Sequence, residues 1–163
     1  MQNVLQITRK ADYALRAAVY LASIKDARVV TFKELARLIR VPADFLAKIL
    51  KELADAGIVR SVRGPKGGYS LLKSGNDVSF LDVIEAVEGP VAINVCLYSR
   101  DSCAFGQDCT LVNVWHRGQE RMLEVFREAK LAQLATPFPI SQKVVDAERG
   151  VSSGSLRLAS RAS

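Results

Sequence analysis

The chain has 163 residues, of which 49% are hydrophobic, so a packed core is expected and a wholly disordered chain is excluded. Its net charge of +6 is unevenly distributed. Residues 1–75 contain 14 Lys and Arg against 6 Asp and Glu, whereas residues 76–163 contain 9 against 11. The basic half predicts contact with a polyanion, either nucleic acid or an anionic membrane surface. A solvated basic face is the simpler alternative.

Charged residues interrupt the first apolar stretch, and no apolar run approaches the ~18 residues that a membrane span needs. We therefore expect a cytoplasmic protein without a membrane role. Thiols stay reduced in that compartment, which favours metal or redox roles for cysteines over disulfides. An enzyme is not expected, because the chain shows no Ser–His–Asp set and no phosphate-binding glycine loop.

The first half of the chain predicts three helices. Apolar residues at helical spacing indicate a first helix from Thr8 to about Ile24. Thr31 and Glu34 have the spacing of a capping box, which predicts the start of a second helix. A third helix is expected from Pro42 to about Ala56, with Gly57 ending it as a left-handed cap residue.

The third helix is expected to bury one face and to expose small residues and lysines on the other. The predicted buried face consists of Phe45, Leu46, Ile49, Leu50 and Leu53. Two β-prone runs, 58–62 and 69–72, then flank a Gly/Pro turn and predict a hairpin with a cationic tip. The order indicates a winged helix-turn-helix, mainly α with a small β-hairpin wing. Such a fold places a helix in the DNA major groove, although protein contacts remain an alternative.

The second half predicts a short helix and then a long one. Ser79 and Asp82 can cap the short helix, and the long helix is expected from Thr110 to about Leu134. A heptad-like seam along the long helix predicts a homodimer, although the seam could instead pack back on its own domain. The seam consists of Leu111, Trp115, Gly118, Met122, Val125 and Ala129. From residue 136 the periodicity fails, and residues 136–163 are predicted to be a disordered tail.

The three cysteines of the chain lie between these two helices. Six residues separate Cys96 from Cys103 and five separate Cys103 from Cys109, and polar flanks predict a loop. Three thiols in one segment form a metal-ligand set that lacks one ligand, because zinc sites and iron–sulfur clusters usually take four protein ligands. His116 is the one histidine of the chain, and we interpret it as a helix-surface residue.

Three motifs and the cysteines give the chain a family resemblance. The motifs are LQITRKADYALRAAVYLA at 5–22, VRGPKGGY at 62–69 and SFLDVIEAVEG at 79–89. Over about residues 4–135 the chain resembles the Rrf-two family of bacterial transcription regulators. The resemblance implies a winged helix-turn-helix DNA-binding domain at 1–75, with the cluster-binding loop and the dimerisation helix at 76–135. It also implies an iron–sulfur cluster that is held by the three cysteines and sets DNA affinity.

The resemblance also indicates which residues face double-stranded DNA. Lys48 and Lys51 fall on the recognition helix, and Arg63 falls on the wing arginine that enters the minor groove. An intrahelical pair with Asp44 would compete for Lys48, at about 0.2–0.5 kcal/mol. The full set of predicted DNA-binding residues is Lys33, Arg40, Asp44, Lys48, Lys51, Arg63, Gly64 and Lys66.

The fourth cluster ligand differs between branches of the family. One branch uses a histidine at the position of Val112, so that ligand is absent here. Another branch uses an aspartate of the partner subunit that matches Asp12, although an exposed pair with Arg16 is the simpler role for this residue. The match slightly favours a 4Fe–4S over a 2Fe–2S cluster, with nitric oxide, redox state or iron–sulfur status as the signal.

Two alternatives remain open at this point. The regulator could use thiol oxidation or zinc instead of a cluster. It could also resemble CymR-like members of the family, which are controlled by the docking of a metabolic enzyme.

Overall fold

The computed structural model describes residues 7–24, 28–99 and 109–135. Its elements in chain order are α1 (Arg9–Ser23), α2 (Phe32–Ile39), α3 (Ala43–Asp55), β1 (Val59–Val62), β2 (Gly68–Leu71), α4 (Phe80–Glu88), α5 (Val95–Tyr98), α6 (Val112–Glu128) and α7 (Leu131–Leu134). The chain is a winged helix-turn-helix followed by a long helix, which confirms the predicted fold class. Within the described ranges no helix is long and apolar enough to cross a bilayer.

The predicted helix starts are set by local side-chain caps. The Thr8 hydroxyl accepts hydrogen bonds from two backbone N–H groups in the first turn of α1. Thr31 caps α2 by accepting from the Glu34 N–H. The Glu34 carboxylate accepts from Arg28 at 2.8 Å instead of returning to Thr31, so the predicted capping box is only half formed. Ser79 and Asp82 form the complete capping box at the start of α4.

The helix-turn-helix consists of α2, a tight turn and α3. Arg40 makes the turn in the left-handed region (φ 54°), and α3 begins at Ala43, with Pro42 as its N-cap. Gly57 (φ 69°) ends the helix region as predicted. The prediction that Phe45 belongs to the buried face was wrong, because Phe45 is 51% exposed. It lies at the edge of that face, where its ring forms an edge-to-face pair with Tyr13.

The predicted hairpin is present and is fixed to the segment before α2. Strands β1 and β2 pair antiparallel, with Val59 opposite Leu71 and Val62 opposite Gly68. Val30 adds a bridge to Tyr69 through two backbone hydrogen bonds of 2.8 Å each. Gly68 is required at this crossing, since a Cβ there would lie 2.2 Å from the Val30 carbonyl oxygen.

The predicted long helix from Thr110 to Leu134 was wrong in one respect, because it is broken before its end. α6 stops at Glu128, and Ala129 and Lys130 are extended. The cause lies elsewhere in the chain. The Ala129 carbonyl accepts from the Phe80 N–H at 2.8 Å, and the Leu131 N–H donates to the Val78 carbonyl at 3.0 Å. This pairing turns the chain back and places Leu131 in the core.

One apolar core unites most of the described elements. It contains side chains of α1 to α4 together with Leu131 of α7, and α1 packs against α2, α3, α4 and α7. α6 packs on α4 and α5 and buries only Leu123 of its own side chains. The DNA-binding part predicted at 1–75 and the part predicted at 76–135 therefore share one core, and the division between them is one of proposed function.

Candidate nucleic-acid interface and cysteine segment

The outer face of α3 carries the charged residues predicted to meet DNA. Asp44, Lys48 and Lys51 are all exposed. The expected Asp44–Lys48 pair does not form among the ion pairs of the described residues. Lys51 instead pairs with Asp55 at 2.6 Å, and the hydrogen bond that the Lys51 ammonium donates to the Asp55 carboxylate raises the pKa of Lys51 above its ordinary value. Lys51 therefore stays cationic at neutral pH, but part of its charge is compensated.

The wing tip presents a second basic position. Arg63, Gly64 and Lys66 are exposed, and Gly64 adopts φ 116° to make the turn. The turn is closed by a hydrogen bond of 2.8 Å from the Gly67 N–H to the Gly64 carbonyl. A Cβ at Gly64 would meet nothing within 4 Å, so the tip is open to a ligand surface.

Lys33 and Arg40 complete the predicted set. Lys33 is exposed in the first turn of α2, and Arg40 is exposed in the turn before α3. All eight predicted DNA-binding positions are thus on the surface of the helix-turn-helix and the wing. Their contact with DNA stays a prediction.

Sequence reasoning missed the structural role of one basic residue. The Lys10 ammonium lies 2.9 Å from a Glu52 carboxylate oxygen on α3 and also donates to the Val87 carbonyl at the end of α4. Next to it, the Thr8 hydroxyl donates to Glu88 at 2.6 Å. Lys10 therefore links three helices, which the pattern of charges along α1 could not indicate.

Asp12 forms the ion pair with Arg16 that is the simpler of its two expected roles. Its carboxylate lies 2.7 Å from the Arg16 guanidinium, and both side chains are partly exposed. The same guanidinium lies over the Tyr13 ring, 5.7 Å from its centroid. A ligand role for Asp12 would require this pair to rearrange, and the role stays a prediction.

Two of the three cysteines lie within the described residues. Cys96 lies in the single-turn helix α5 and not in a loop, which corrects the prediction for that residue. Cys109 precedes α6, and both thiols are free and half-buried. α5 packs on α6, and Cys109 lies three residues before the first residue of α6. Cys103 lies outside the described residues.

Metal-ligating side chains do not cluster in the part of the chain that the structure describes. No group of three His, Cys, Asp or Glu residues is close enough there to hold an ion. Val112 is the first residue of α6, and His116 is half-buried one turn later. The donor set that the sequence offers is therefore the three thiols, of which Cys103 falls in the segment outside the described ranges.

An apolar surface runs along α6, and we call it the α6 stripe. Its exposed members are Leu111 (60%), Val114 (67%) and Val125 (61%), and Trp115 and Met122 are half-buried beside them. Helical geometry places these five residues on one side of α6. Val114 was not part of the predicted seam. Within the described residues, Leu111 and Val125 are the large apolar members of the predicted seam that stay exposed, so part of the seam has no cover in one chain.

Comparisons with known proteins bear on this arrangement. Residues 7–137 match the model of the Rrf2 family, described as an iron-dependent transcriptional regulator. An HTH-type transcriptional regulator of Mycobacterium tuberculosis is 35% identical over 131 residues, which cover 80% of this chain and 81% of that protein. These relatives are transcriptional regulators and not enzymes.

Two solved structures share the fold. CymR, the global cysteine regulator of B. subtilis, is 25% identical with a TM-score of 0.67, covering 81% of this chain and 97% of CymR. T. potens IscR is 26% identical with a TM-score of 0.64, covering 91% of this chain and 92% of IscR.

Proposed function

The chain belongs to the Rrf2 family of transcriptional regulators, and from that premise we propose a homodimer whose DNA binding is controlled by an iron–sulfur cluster on its three cysteines. The observation that carries the DNA part is the exposed basic surface formed by α3 and the wing tip of a winged helix-turn-helix. Recognition helices of this fold read the major groove, and cationic wings suit phosphates or the minor groove.

Two substitutions test the DNA interface. Replacing Lys51 or Arg63 with Ala should weaken binding to the promoter and reduce the slope of log affinity against log salt by about one for each lost phosphate contact. Replacing the exposed Lys73, which follows the hairpin, is the matched control. Unchanged affinity and slope in both variants would contradict the proposed interface.

The dimer is supported by the α6 stripe. Three large apolar side chains, each more than half exposed, lie along one helix that buries only Leu123 of its own residues. Burial of apolar surface is worth about 25 cal/mol per Å², so this stripe favours association. A second copy of the chain is the simplest partner to cover the α6 stripe, because a symmetric interface uses the same patch on both subunits. A dimer would also present two recognition helices to two half-sites.

The cluster is supported by the chemistry of the donors. Cys96 and Cys109 are free, half-buried thiols, one in α5 and one just before α6, which packs on α5, and thiolates are the ligands that iron–sulfur clusters use. Together with Cys103 they would hold the group, which would supply redox and ligand-binding chemistry. Asp12 of the partner subunit is the proposed fourth ligand, in a site of the 4Fe–4S type. An oxygen ligand across subunits would link the loaded state to the geometry of the dimer.

Anaerobic purification tests the cluster directly. The full-length protein should contain about four iron and four sulfide per chain, with visible charge-transfer absorption. A Cys103→Ala variant should lose both, and Asp12→Asn should bind iron more weakly while leaving the Cys-dependent spectrum recognisable. Zinc alone, or no metal after reconstitution with iron and sulfide, would overturn this part of the proposal and leave the DNA part intact.

A second candidate has its own support. The likeness to CymR, the global cysteine regulator, favours control without a cluster, either by thiol oxidation or zinc or by a docked metabolic enzyme. In that case the wild type and a Cys96→Ala variant should bind DNA with the same affinity, with or without iron, whereas a cluster would make the wild type alone depend on iron. An intermolecular disulfide after mild peroxide would identify the thiol version, and stoichiometric recovery of one enzyme with the dimer would identify the docking version.

A further inference from the structure

Phe45 is an apolar side chain in an unexpected place. It lies in the first turn of α3 and is 51% exposed, whereas Leu46 and Ile49 beside it are fully buried. Within α2, the turn and α3, Phe45 is the large hydrophobic residue that remains exposed. An exposed ring has a higher free energy than a covered one, because its apolar area stays in contact with water. The ring would gain by contacting an apolar group of a ligand.

The ring is held in place from one side. Its centroid lies 6.3 Å from that of Tyr13, in an edge-to-face arrangement at 83°. Tyr13 is in turn covered by the Arg16 guanidinium, which lies 5.7 Å from the centroid of its ring. A ring fixed in this way loses little conformational entropy when a ligand covers its other side.

The position of the ring fits the edge of a base pair. Residues at the N-terminal end of a recognition helix contact base edges in the major groove. Phe45 lies three residues before Lys48, and so next to it on the helix surface. The exposed Ala43 and Ala47 have side chains too small to hold the helix away from the groove.

The chemistry of the ring limits what it can recognise. Phenylalanine offers no hydrogen-bond donor or acceptor, and the apolar group that the major groove presents is the C5-methyl of thymine. We propose that Phe45 selects a thymine in each half-site through this methyl group. The inference rests on the proposed use of α3 as the recognition helix. It adds base selection to a surface whose charged residues are proposed to contact phosphates, which are the same at any sequence.

The test removes the methyl group from DNA and the ring from the protein. A tight-binding duplex is first selected from a random library with the full-length protein. Each thymine is then replaced in turn by deoxyuridine, which lacks only the methyl, and dissociation constants are measured by fluorescence anisotropy at fixed salt. The proteins compared are the wild type and the Phe45→Ala, Phe45→Leu and Lys51→Ala variants.

The inference predicts a pattern that a purely structural role for Phe45 does not give. At one symmetric pair of positions, the wild type should bind the deoxyuridine duplex about fourfold more weakly than the thymine parent, which is the effect of losing one methyl contact. Phe45→Ala should bind thymine and deoxyuridine equally well there. Phe45→Leu should keep part of the discrimination, which guards against misfolding as the cause. Lys51→Ala should weaken binding to every duplex alike and keep the wild-type ratio.

Two results would overturn the inference. One is a wild-type protein that binds every deoxyuridine duplex as tightly as its thymine parent. The other is a Phe45→Ala variant that keeps the wild-type ratio at every position. Failure to select any duplex at all would contradict the proposed DNA function itself, and the inference with it.

Discussion

The helices α3 and α6 use their apolar residues in opposite ways. α3 buries Leu46, Ile49, Leu50 and Leu53 in the core of its own chain and turns charged residues outward. α6 is longer, yet it buries one side chain and leaves a stripe of large apolar residues exposed. The first helix is stabilised within one chain, and the second has an apolar face that its described surroundings do not cover. The contrast separates residues that make the fold from residues available for assembly.

α7 sharpens this comparison, because it follows α6 in sequence but belongs to the body of the fold. Replacing the fully buried Leu131 with Ala should lower the free energy of unfolding by about 2–5 kcal/mol, through lost burial and the cavity left behind. Urea denaturation at several protein concentrations would measure the loss apart from any dimer contribution.

Leu134, which is 39% exposed, provides the matched control for that experiment. Leu134→Ala should lower the free energy of unfolding by much less, because less of its side chain leaves water on folding. Equal losses in the two variants would show that α7 is not part of the core in solution.

The α6 stripe can be broken with a single charge. Val125→Glu should raise the dissociation constant of the proposed dimer at least about tenfold, since a carboxylate would be buried without a partner. The monomer fold should survive, because Val125 is exposed in one chain. Sedimentation velocity and far-UV circular dichroism would measure assembly and folding separately.

Asn113→Glu introduces the same side chain at an exposed position of α6 away from the stripe, so it should leave the oligomeric state unchanged. A Val125→Glu protein that assembles like this control would argue that α6 is covered in some other way.

A smaller effect is expected on α3, from the pair between Lys51 and Asp55. Asp55→Asn should increase DNA affinity about twofold to threefold at low salt. The substitution frees the Lys51 ammonium and removes a negative charge that repels the DNA phosphates. The gain should shrink in a Lys51→Ala background, because part of it acts through that lysine. A gain of the same size in both backgrounds would assign the effect to the charge of Asp55 alone.

The parts of the fold predicted correctly from the sequence depend on neighbouring residues. Thr8, Gly57 and the Ser79–Asp82 box act within one helical turn, so their spacing indicates the helix ends directly. The break after Glu128 could not be predicted in that way. It depends on Val78 and Phe80, which meet Ala129 and Leu131 only in the folded chain.

The same distinction applies to the candidate site. Charge and helix face were enough to select Lys48 and Lys51, which are exposed as expected. Phe45 was misassigned because an apolar residue beside a buried face looks like core until its packing is known. The role of Lys10 depends on Glu52 and Val87, two residues distant in sequence. Cysteine spacing indicates three ligands of the set, but it cannot identify a fourth ligand that comes from another segment.

The backbone crossing at Val30, Gly68 and Tyr69 makes the wing and the helix-turn-helix a single mechanical unit. Two hydrogen bonds tie the wing to the residue just before the start of α2, and the glycine lets the two backbones touch. We therefore expect a fixed distance along the groove between the two proposed DNA contacts, α3 and the wing tip. In the proposed dimer, a signal can therefore change the distance between the two DNA-binding units, whereas the spacing of α3 and the wing within each unit stays the same.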